Sequence, residues 1–197
     1  MGIVAAASAD DGVLSVASAL GFLGFFCLAA TVAWGIATAV GPWAGRVSHE
    51  GVQLGHLAWA MAGLVLVGGH VVAHTLRPQD AFTWPEALVP FARGGLTVAA
   101  GVAGLLVLVV AAASFMVRGR IGVRWWTVIH RAAYAGFALM ALHVVLAADE
   151  VGRITWLGVA AAATIAVVAG LTAIRWRGAT RRDQEGGAHP TVWGLEP

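Results

Sequence analysis

Four histidines in two long apolar segments are the residues whose type and spacing predict chemistry in this chain. His56 and His70 lie in one segment, and His130 and His143 lie in another. A histidine inside a bilayer is costly and by default marks a functional site. Imidazole is a good axial ligand for haem iron, and two facing helices that each offer one imidazole would hold a haem b. The four histidines are therefore predicted to be axial ligands of two haem irons.

The depths of these histidines match in pairs. Both segments cross the membrane in the same direction, so His56 lies at the depth of His130, and His70 lies at the depth of His143. At about 1.5 Å per residue, the two irons would be separated by roughly 20 Å along the membrane normal. This arrangement predicts one haem in each leaflet and a two-step path for electrons.

The angular positions of the histidines differ between the two segments. At about 100° per residue, the step from His56 to His70 returns nearly to one helix face, whereas the step from His130 to His143 does not. Either the second segment bends near Gly136, or the two haems are displaced sideways from each other.

Three further residues complete the predicted haem-binding set. His74 shares the face of His56 and His70 but lies closer to the outer interface, so we expect His70 to be the ligand and His74 a neighbour or a partner of a propionate. Arg131 follows a ligand directly, and it either pairs with a propionate of the inner haem or extends to the interface. Phe137 lies near mid-membrane, where it packs between the haems or in the core.

The two histidine-bearing segments also resemble each other. HLAWAMAGLVLVGGHVV (56–72) and HRAAYAGFALMALHVV (130–145) share a leading His, an aromatic residue shortly after it, and a closing His-Val-Val. This similarity predicts two halves built around an approximate axis along the membrane normal.

Composition defines the elements that must position these residues. With 59% hydrophobic and 11% charged residues and a mean hydropathy of +0.82, the chain is too apolar for a soluble domain. Five apolar stretches each exceed the roughly 20 residues that a helix needs to cross the hydrocarbon. They are 12–45, 51–76, 94–117, 125–148 and 154–174. The predicted fold is an all-α integral membrane bundle of five transmembrane helices, with two haems b between helices 2 and 4.

Arginine sets the predicted orientation, because the chain contains no lysine. Eight of the twelve arginines fall in the first loop, the third loop and the segment after the last helix, which share one side of a five-helix topology. The positive-inside rule then predicts a multi-pass protein of the cell membrane with its N-terminus outside and its C-terminus in the cytoplasm. Residues 1–177 would form the membrane domain, and 178–197 would be a disordered cytoplasmic tail. The start lacks a basic region, so we expect no cleaved signal peptide.

Other site types are not indicated by the sequence. Cys27 is alone, which excludes a disulfide framework. No CxxCH motif, zinc-ligand spacing, dinucleotide fingerprint or phosphate loop is present. Without a basic patch interleaved with aromatic residues, no nucleic-acid partner is expected, and the lipid bilayer is the expected surrounding.

The segment RGRIGVRWWTVIHRAAYAGFALMALHVVLAADE (118–150) resembles the signature helix of the ferric reductase-like transmembrane domain family. In that family a basic turn leads through Trp to a His-Arg pair, a Tyr and a second His. PEALVPFARGGLTVAAGVAGLLVLVV is similar to the outer loop and following helix of the family, so the resemblance covers about residues 49–150. The family includes ferric reductases, NADPH oxidases and the haem subunit of bacterial periplasmic methionine sulfoxide reductase systems. The resemblance implies two b haems, held here by His56, His70, His130 and His143.

The chain departs from the ferric reductases and NADPH oxidases, which append a flavin and nicotinamide domain. FAD and NAD(P)H are therefore expected only through a separate partner. We expect transmembrane electron transfer from a cytoplasmic flavin reductase or membrane quinol to an outer acceptor such as ferric iron or a partner reductase. The chain would then be the haem-bearing component of an oxidoreductase. The alternatives are a self-sufficient ferric or oxygen reductase, and a non-redox membrane transporter or scaffold.

Overall fold

A computed structural model describes residues 2–40, 48–148 and 155–186, and within these ranges the chain is helical without any strand. Five helical stretches are long and apolar enough to cross a membrane, as predicted: Ser8–Thr38, Glu50–Thr75, Gly95–Ala113, Arg118–Ala147 and Trp156–Gly178. They indicate a multi-pass membrane protein. The helices are α1 (Gly2–Val40), α2 (His49–Thr75), α3 (Trp84–Leu88), α4 (Gly95–Ala113), α5 (Arg118–Arg131), α6 (Ala133–Ala147) and α7 (Trp156–Gly186).

The fourth membrane span is two helices joined at Ala132. The backbone N–H of Ala132 donates to the carbonyls of both Val128 and Ile129, at 3.3 and 3.1 Å, so the last turn of α5 tightens before α6 begins. The predicted bend near Gly136 therefore lies at Ala132 instead, between the two histidines of this span. A second break lies at Gly122, which takes a positive φ of 79° that only glycine adopts easily.

Helices α1 and α2 pack as an antiparallel hairpin whose close approach depends on glycine. A Cβ at Gly24 would lie 3.0 Å from the backbone N of Val67, and one at Gly63 would lie 3.1 Å from the backbone N of Leu28. Small residues of this kind let membrane helices approach closely enough for dispersion contacts along their backbones. The two glycines therefore fix how α1 lies against α2.

Helices α4 and α6 form a second antiparallel hairpin with the same type of contact. A Cβ at Gly104 would lie 2.9 Å from the carbonyl O of Gly136 and 3.0 Å from the backbone N of Met140. A Cβ at Gly136 would in turn lie 3.0 Å from Cγ of Leu108. Because glycine and leucine occur here in the order and spacing found on α1, the second hairpin repeats the packing of the first.

Two stacked phenylalanines lie in the core at the junction of the hairpins. The rings of Phe25 on α1 and Phe137 on α6 have centroids 5.6 Å apart and planes inclined by 14°. Their side chains are 0% and 5% exposed, and they belong to the hydrophobic core cluster. The predicted mid-membrane aromatic thus pairs with a second one from the other half.

Helix α7 packs chiefly against α1 and continues beyond its membrane span to Gly186. The backbone of residues 178–186, predicted to belong to the tail, is therefore helical. The remainder of the predicted tail, 187–197, lies outside the described residues.

Candidate functional site

The structure brings the four histidines together in the two predicted pairs. The ring centroids of His56 and His130 are 6.0 Å apart, and those of His70 and His143 are 6.2 Å apart. Following the predicted orientation, we call His56 and His130 the inner pair and His70 and His143 the outer pair. In each pair, one histidine comes from the α1–α2 hairpin and the other from the second half of the molecule.

These separations fit two imidazoles that share one iron. An imidazole centroid lies about 1.1 Å from its Nε2 atom and a metal–imidazole bond is about 2.0 Å long, so two rings on opposite sides of one metal have centroids about 6 Å apart. Both observed distances agree with this value. Direct ring packing would bring the centroids closer, as for His70 and His74 at 4.8 Å. Each pair can therefore supply the two axial nitrogens of a haem.

Backbone carbonyls orient the rings of the outer pair. Nδ1 of His70 lies 2.8 Å from the carbonyl O of Ala17, and Nδ1 of His143 lies 2.8 Å from that of Thr97. A carbonyl only accepts, so each Nδ1 carries the proton and donates it. This hydrogen bond fixes the tautomer and leaves the lone pair of Nε2 available to a metal.

Glycine makes room for each of these rings one helical turn beyond the carbonyl. A Cβ at Gly21, after Ala17, would lie 2.8 Å from Nδ1 of His70, and a Cβ at Gly101, after Thr97, would lie 2.8 Å from Nδ1 of His143. Any larger residue would displace the ring from its acceptor. We call this combination of a carbonyl and a glycine one turn later a histidine seat.

The inner histidine of α2 occupies a third, looser seat on α1. A Cβ at Gly35 would lie 3.3 Å from Cε1 of His56. The Nδ1 atom of His56 faces the carbonyl of Thr31, one turn earlier, but it is buried without completing a hydrogen bond of good geometry. Two seats on α1 therefore hold the two histidines of α2 with matching spacing.

The other inner histidine, His130, is held by an aromatic neighbour rather than by a seat. The ring of Trp126, one turn earlier on α5, stacks on His130 with centroids 5.2 Å apart and planes inclined by 18°. The indole Nε1 of Trp126 is buried without a hydrogen-bond partner. Trp126 thus belongs to the inner site.

An arginine from α7 lies beside the inner site. Nη1 of Arg175 donates to the carbonyl O of Gly35 at 3.4 Å, and its guanidinium lies 6.0 Å from the ring centroid of Tyr134. Gly35 contacts His56, and Tyr134 follows His130 by one turn. Arg131, which was predicted either to pair with an inner propionate or to extend to the interface, has an exposed side chain.

His74 adjoins the outer pair without joining it. Its ring lies 4.8 Å from that of His70 and 5.6 Å from that of Phe82, and its Nδ1 is buried without a partner. A cavity of about 270 Å³ opens beside His70, His74 and His143 between largely apolar side chains. His74 can therefore donate to a polar group held in this cavity.

The loop between α2 and α4 covers the outer site. The guanidinium of Arg93 lies 4.4 Å from the ring centroid of Phe82, and Nη1 of Arg93 donates to the carbonyl O of Ala81 at 3.0 Å. Arg77 forms an ion pair of 2.7 Å with the buried carboxylate of Asp10. These contacts hold Phe82 over His74.

The described residues contain no group of three or more His, Cys, Asp or Glu side chains placed to hold a metal ion. What they contain is two pairs of histidines, and two is the number of ligands that the iron of a porphyrin takes from a protein. Comparison with models of protein families, with curated proteins and with solved structures found no match.

Proposed function

We propose that this chain carries electrons across a membrane through two b haems, one on the inner pair and one on the outer pair. The observation that supports this most directly is the spacing of the rings, 6.0 Å in one pair and 6.2 Å in the other. When bound, each haem would supply an iron that changes between the ferric and ferrous states. The two histidines of each pair would both bind the iron and leave it no open position for a substrate, which suits electron transfer.

The protein contributes ligand orientation and a low-dielectric surrounding. The carbonyls of Ala17 and Thr97 hold the outer imidazoles in the tautomer that presents Nε2. The helices around the pairs are largely apolar, which lowers the effective dielectric constant around both sites. Little rearrangement of polar groups would then accompany the arrival of an electron.

The stacked pair of Phe25 and Phe137 lies between the two sites along the helices. Each half of the molecule contributes one ring, and the two are in contact at 5.6 Å between centroids. The two side chains are part of a packed hydrophobic core between the inner and outer sites. It thereby separates the two haems from each other while keeping water out of the route between them.

The direction and partners follow from the arginine distribution and from the resemblance to the ferric reductase-like family. Electrons would enter at the inner pair from a cytoplasmic flavin reductase or from membrane quinol. They would leave from the outer pair to an acceptor such as ferric iron or a partner reductase.

The experiment that tests the proposal is a visible absorption spectrum of the purified protein, followed by a pyridine haemochrome assay. We expect reduced-minus-oxidised bands of low-spin haem b and a ratio near two haems per chain. A ratio near one would mean that only one pair binds haem. Protein that contains no haem after expression with ample haem supply would rule the proposal out and favour a non-redox membrane protein.

A further inference from the structure

We infer that Arg175 and Trp126 each offer a donor to a carboxylate beside the inner pair, and that Arg175 raises the reduction potential there. This inference rests on the proposed function, because the carboxylates it assigns are the propionates of the inner haem. Neither residue belongs to a histidine seat, and Arg175 lies outside both histidine-bearing segments.

Arg175 is placed at the inner site by contacts with both halves of the molecule. It donates to the carbonyl of Gly35, the residue whose α-carbon faces His56. On its other side it lies over Tyr134, one turn beyond His130. The guanidinium therefore contacts α1 and α6 at residues that adjoin the two inner histidines. Its hydrogen bond to Gly35 is long at 3.4 Å and uses one of its five N–H donors, which leaves donors for an anion.

Trp126 supplies a second donor beside His130, one turn before it along α5, whereas Arg175 approaches Tyr134, one turn after it. Its ring is fixed parallel to His130, and its Nε1–H is buried without an acceptor among the described residues. Leaving a buried donor without an acceptor is unfavourable, so an acceptor is expected where such a donor is found. A carboxylate beside the inner haem would accept from it.

Burial distinguishes Arg175 from Arg118 and Arg131 at this end of the molecule. Arg131 is exposed, and Arg118 lies over the rings of Phe115 and Trp126, at 4.9 and 5.6 Å. Arg175 is partly buried among helices, where a fixed positive charge acts more strongly on its neighbours than in water. A cation beside the site favours the reduced iron, which carries one positive charge fewer, and so raises its reduction potential.

The test is a potentiometric titration of the membrane protein carrying Arg175→Gln, with Arg120→Gln, at an exposed arginine of the same end, as the matched control. The inner haem is identified as the wave that disappears in His130→Leu. We expect Arg175→Gln to shift the inner wave to a more negative potential and to leave the outer wave in place. Arg175→Lys keeps the charge and should restore most of the potential, whereas Arg120→Gln should leave both waves unchanged.

Trp126→Phe tests the second donor, because phenylalanine keeps the stacking on His130 and loses the N–H. We expect weaker retention of the inner haem during dialysis against apomyoglobin, a haem acceptor, and unchanged retention of the outer haem. Equal retention of the inner haem in Trp126→Phe and the wild type would overturn the role assigned to this donor.

Other outcomes separate this inference from the proposed function. Two haems with an unmoved inner wave in Arg175→Gln would overturn the role of Arg175 and leave the electron path standing. If Arg175→Gln loses the inner haem, the Arg175→Lys variant decides between the explanations. Inner haem that is retained in Arg175→Lys near the original potential supports the role of the positive charge. Loss of the inner haem in Arg175→Lys as well contradicts that role. Wild-type protein without haem would contradict the proposed function itself.

Discussion

At the scale of single residues, each outer histidine is defined by what its second nitrogen does. Nδ1 of His70 and of His143 donates to a helix carbonyl at 2.8 Å, so Nε2 is the atom left to bind. His74 lacks such an acceptor, and its ring is packed edge-on against His70. This difference favours His70 over His74 as the ligand, which is the choice made from the sequence by depth.

We expect His56→Leu or His130→Leu to remove the inner haem only, and His70→Leu or His143→Leu to remove the outer haem only. Leucine is close in volume to histidine and cannot ligate, so the haem ratio should fall from about two to about one in each variant. His74→Leu is the control and should keep both haems. The haemochrome assay measures the ratio, and loss of a haem in His74→Leu with none lost in His70→Leu would reverse the ligand choice.

Spacing along one helix can be read from the sequence, whereas contacts between different helices cannot. The four histidines could be predicted because their helical spacing gives their depth. Trp126 was missed although it lies one turn before His130 on the same helix. Arg175 could not be predicted, because its role arises from contacts between separate helices. Phe25 was missed for the same reason, although the repeated phenylalanines at 25 and 26 were a signal that this part of α1 packs densely.

At the scale of elements, the register of α1 against α2 decides whether the seats meet the histidines. Gly21 and Gly35 on α1 are separated by the same number of residues as His56 and His70 on α2. In an antiparallel pair, this equality lets one register satisfy both histidines. The sequence predicted the apolar spans, since hydropathy alone sets them, but this register depends on backbone approach at Gly24 and Gly63, which hydropathy does not report.

We expect Gly21→Ala and Gly101→Ala to lower the occupancy of the outer haem. In both, the new methyl group would lie 2.8 Å from Nδ1 of the histidine and would force the ring off its carbonyl. Gly68→Ala is the matched control, because a Cβ there has nothing within 4 Å. An alanine in a helix gains about 0.5–1 kcal/mol over glycine, so this control should be no less stable than the wild type.

The measurement for these variants is the haem ratio together with the far-ultraviolet circular dichroism. Helix content should remain as in the wild type while the ratio falls from about two toward one. A full complement of haem in both Gly21→Ala and Gly101→Ala would show that the seats do not control ligand placement.

The short helix α3 in the outer loop gives a pH prediction. The carboxylate of Glu86 accepts hydrogen bonds from the backbone N and the Oγ1 of Thr83, at 2.8 and 2.9 Å, and these bonds lower its pKa below the ordinary value of 4.5. A lowered pKa in the folded state means stabilisation that is present above pH 4.5 and is lost as the pH falls through the lowered value.

Acidification should therefore loosen α3 before it affects the membrane helices. Hydrogen exchange at the amides of Ala87 and Val89, which close the turns of α3, should become faster relative to intrinsic rates as Glu86 protonates. Glu86→Gln should show faster exchange already at neutral pH and little further change with acid. The same acid-induced acceleration in Glu86→Gln as in the wild type would place the cause elsewhere.

At the scale of the whole molecule, two similar hairpins enclose two similar sites. Gly101, Gly104 and Leu108 on α4 repeat the spacing of Gly21, Gly24 and Leu28 on α1. The sequence similarity noticed between the histidine-bearing segments is thus matched by a similarity between their partner helices. The two histidines of the inner pair are held differently. His56 lies in a seat, whereas His130 has Trp126 beside it and a break in the helix at Ala132. The outer pair is therefore symmetric and the inner pair is not, which suits a proposed path whose electron entry and exit face different partners.

The identity of the electron donor decides whether the 197-residue chain can be reduced by NADPH when it is tested by itself. Flavin and nicotinamide domains are built around a sheet, in a fold of a hundred residues or more, whereas residues 2–40, 48–148 and 155–186 contain helices and no strand. We therefore expect NADPH alone to leave the haems oxidised. Arg118, Arg120 and Arg124 lie on the predicted cytoplasmic side, where their charge would attract an acidic or phosphate-bearing flavoprotein.

Stopped-flow absorption measures this directly by comparing NADPH alone, NADPH with a cytosolic flavin reductase, and a reduced quinol. Reduction by the flavoprotein that slows with rising salt would indicate docking on the arginines, because screening weakens attraction between exposed charges. The substitution of all three arginines by glutamine should then slow this reduction and leave reduction by dithionite unchanged. Reduction only by quinol would assign the donor to the membrane, and rapid reduction by NADPH alone would contradict the electron path from a separate donor.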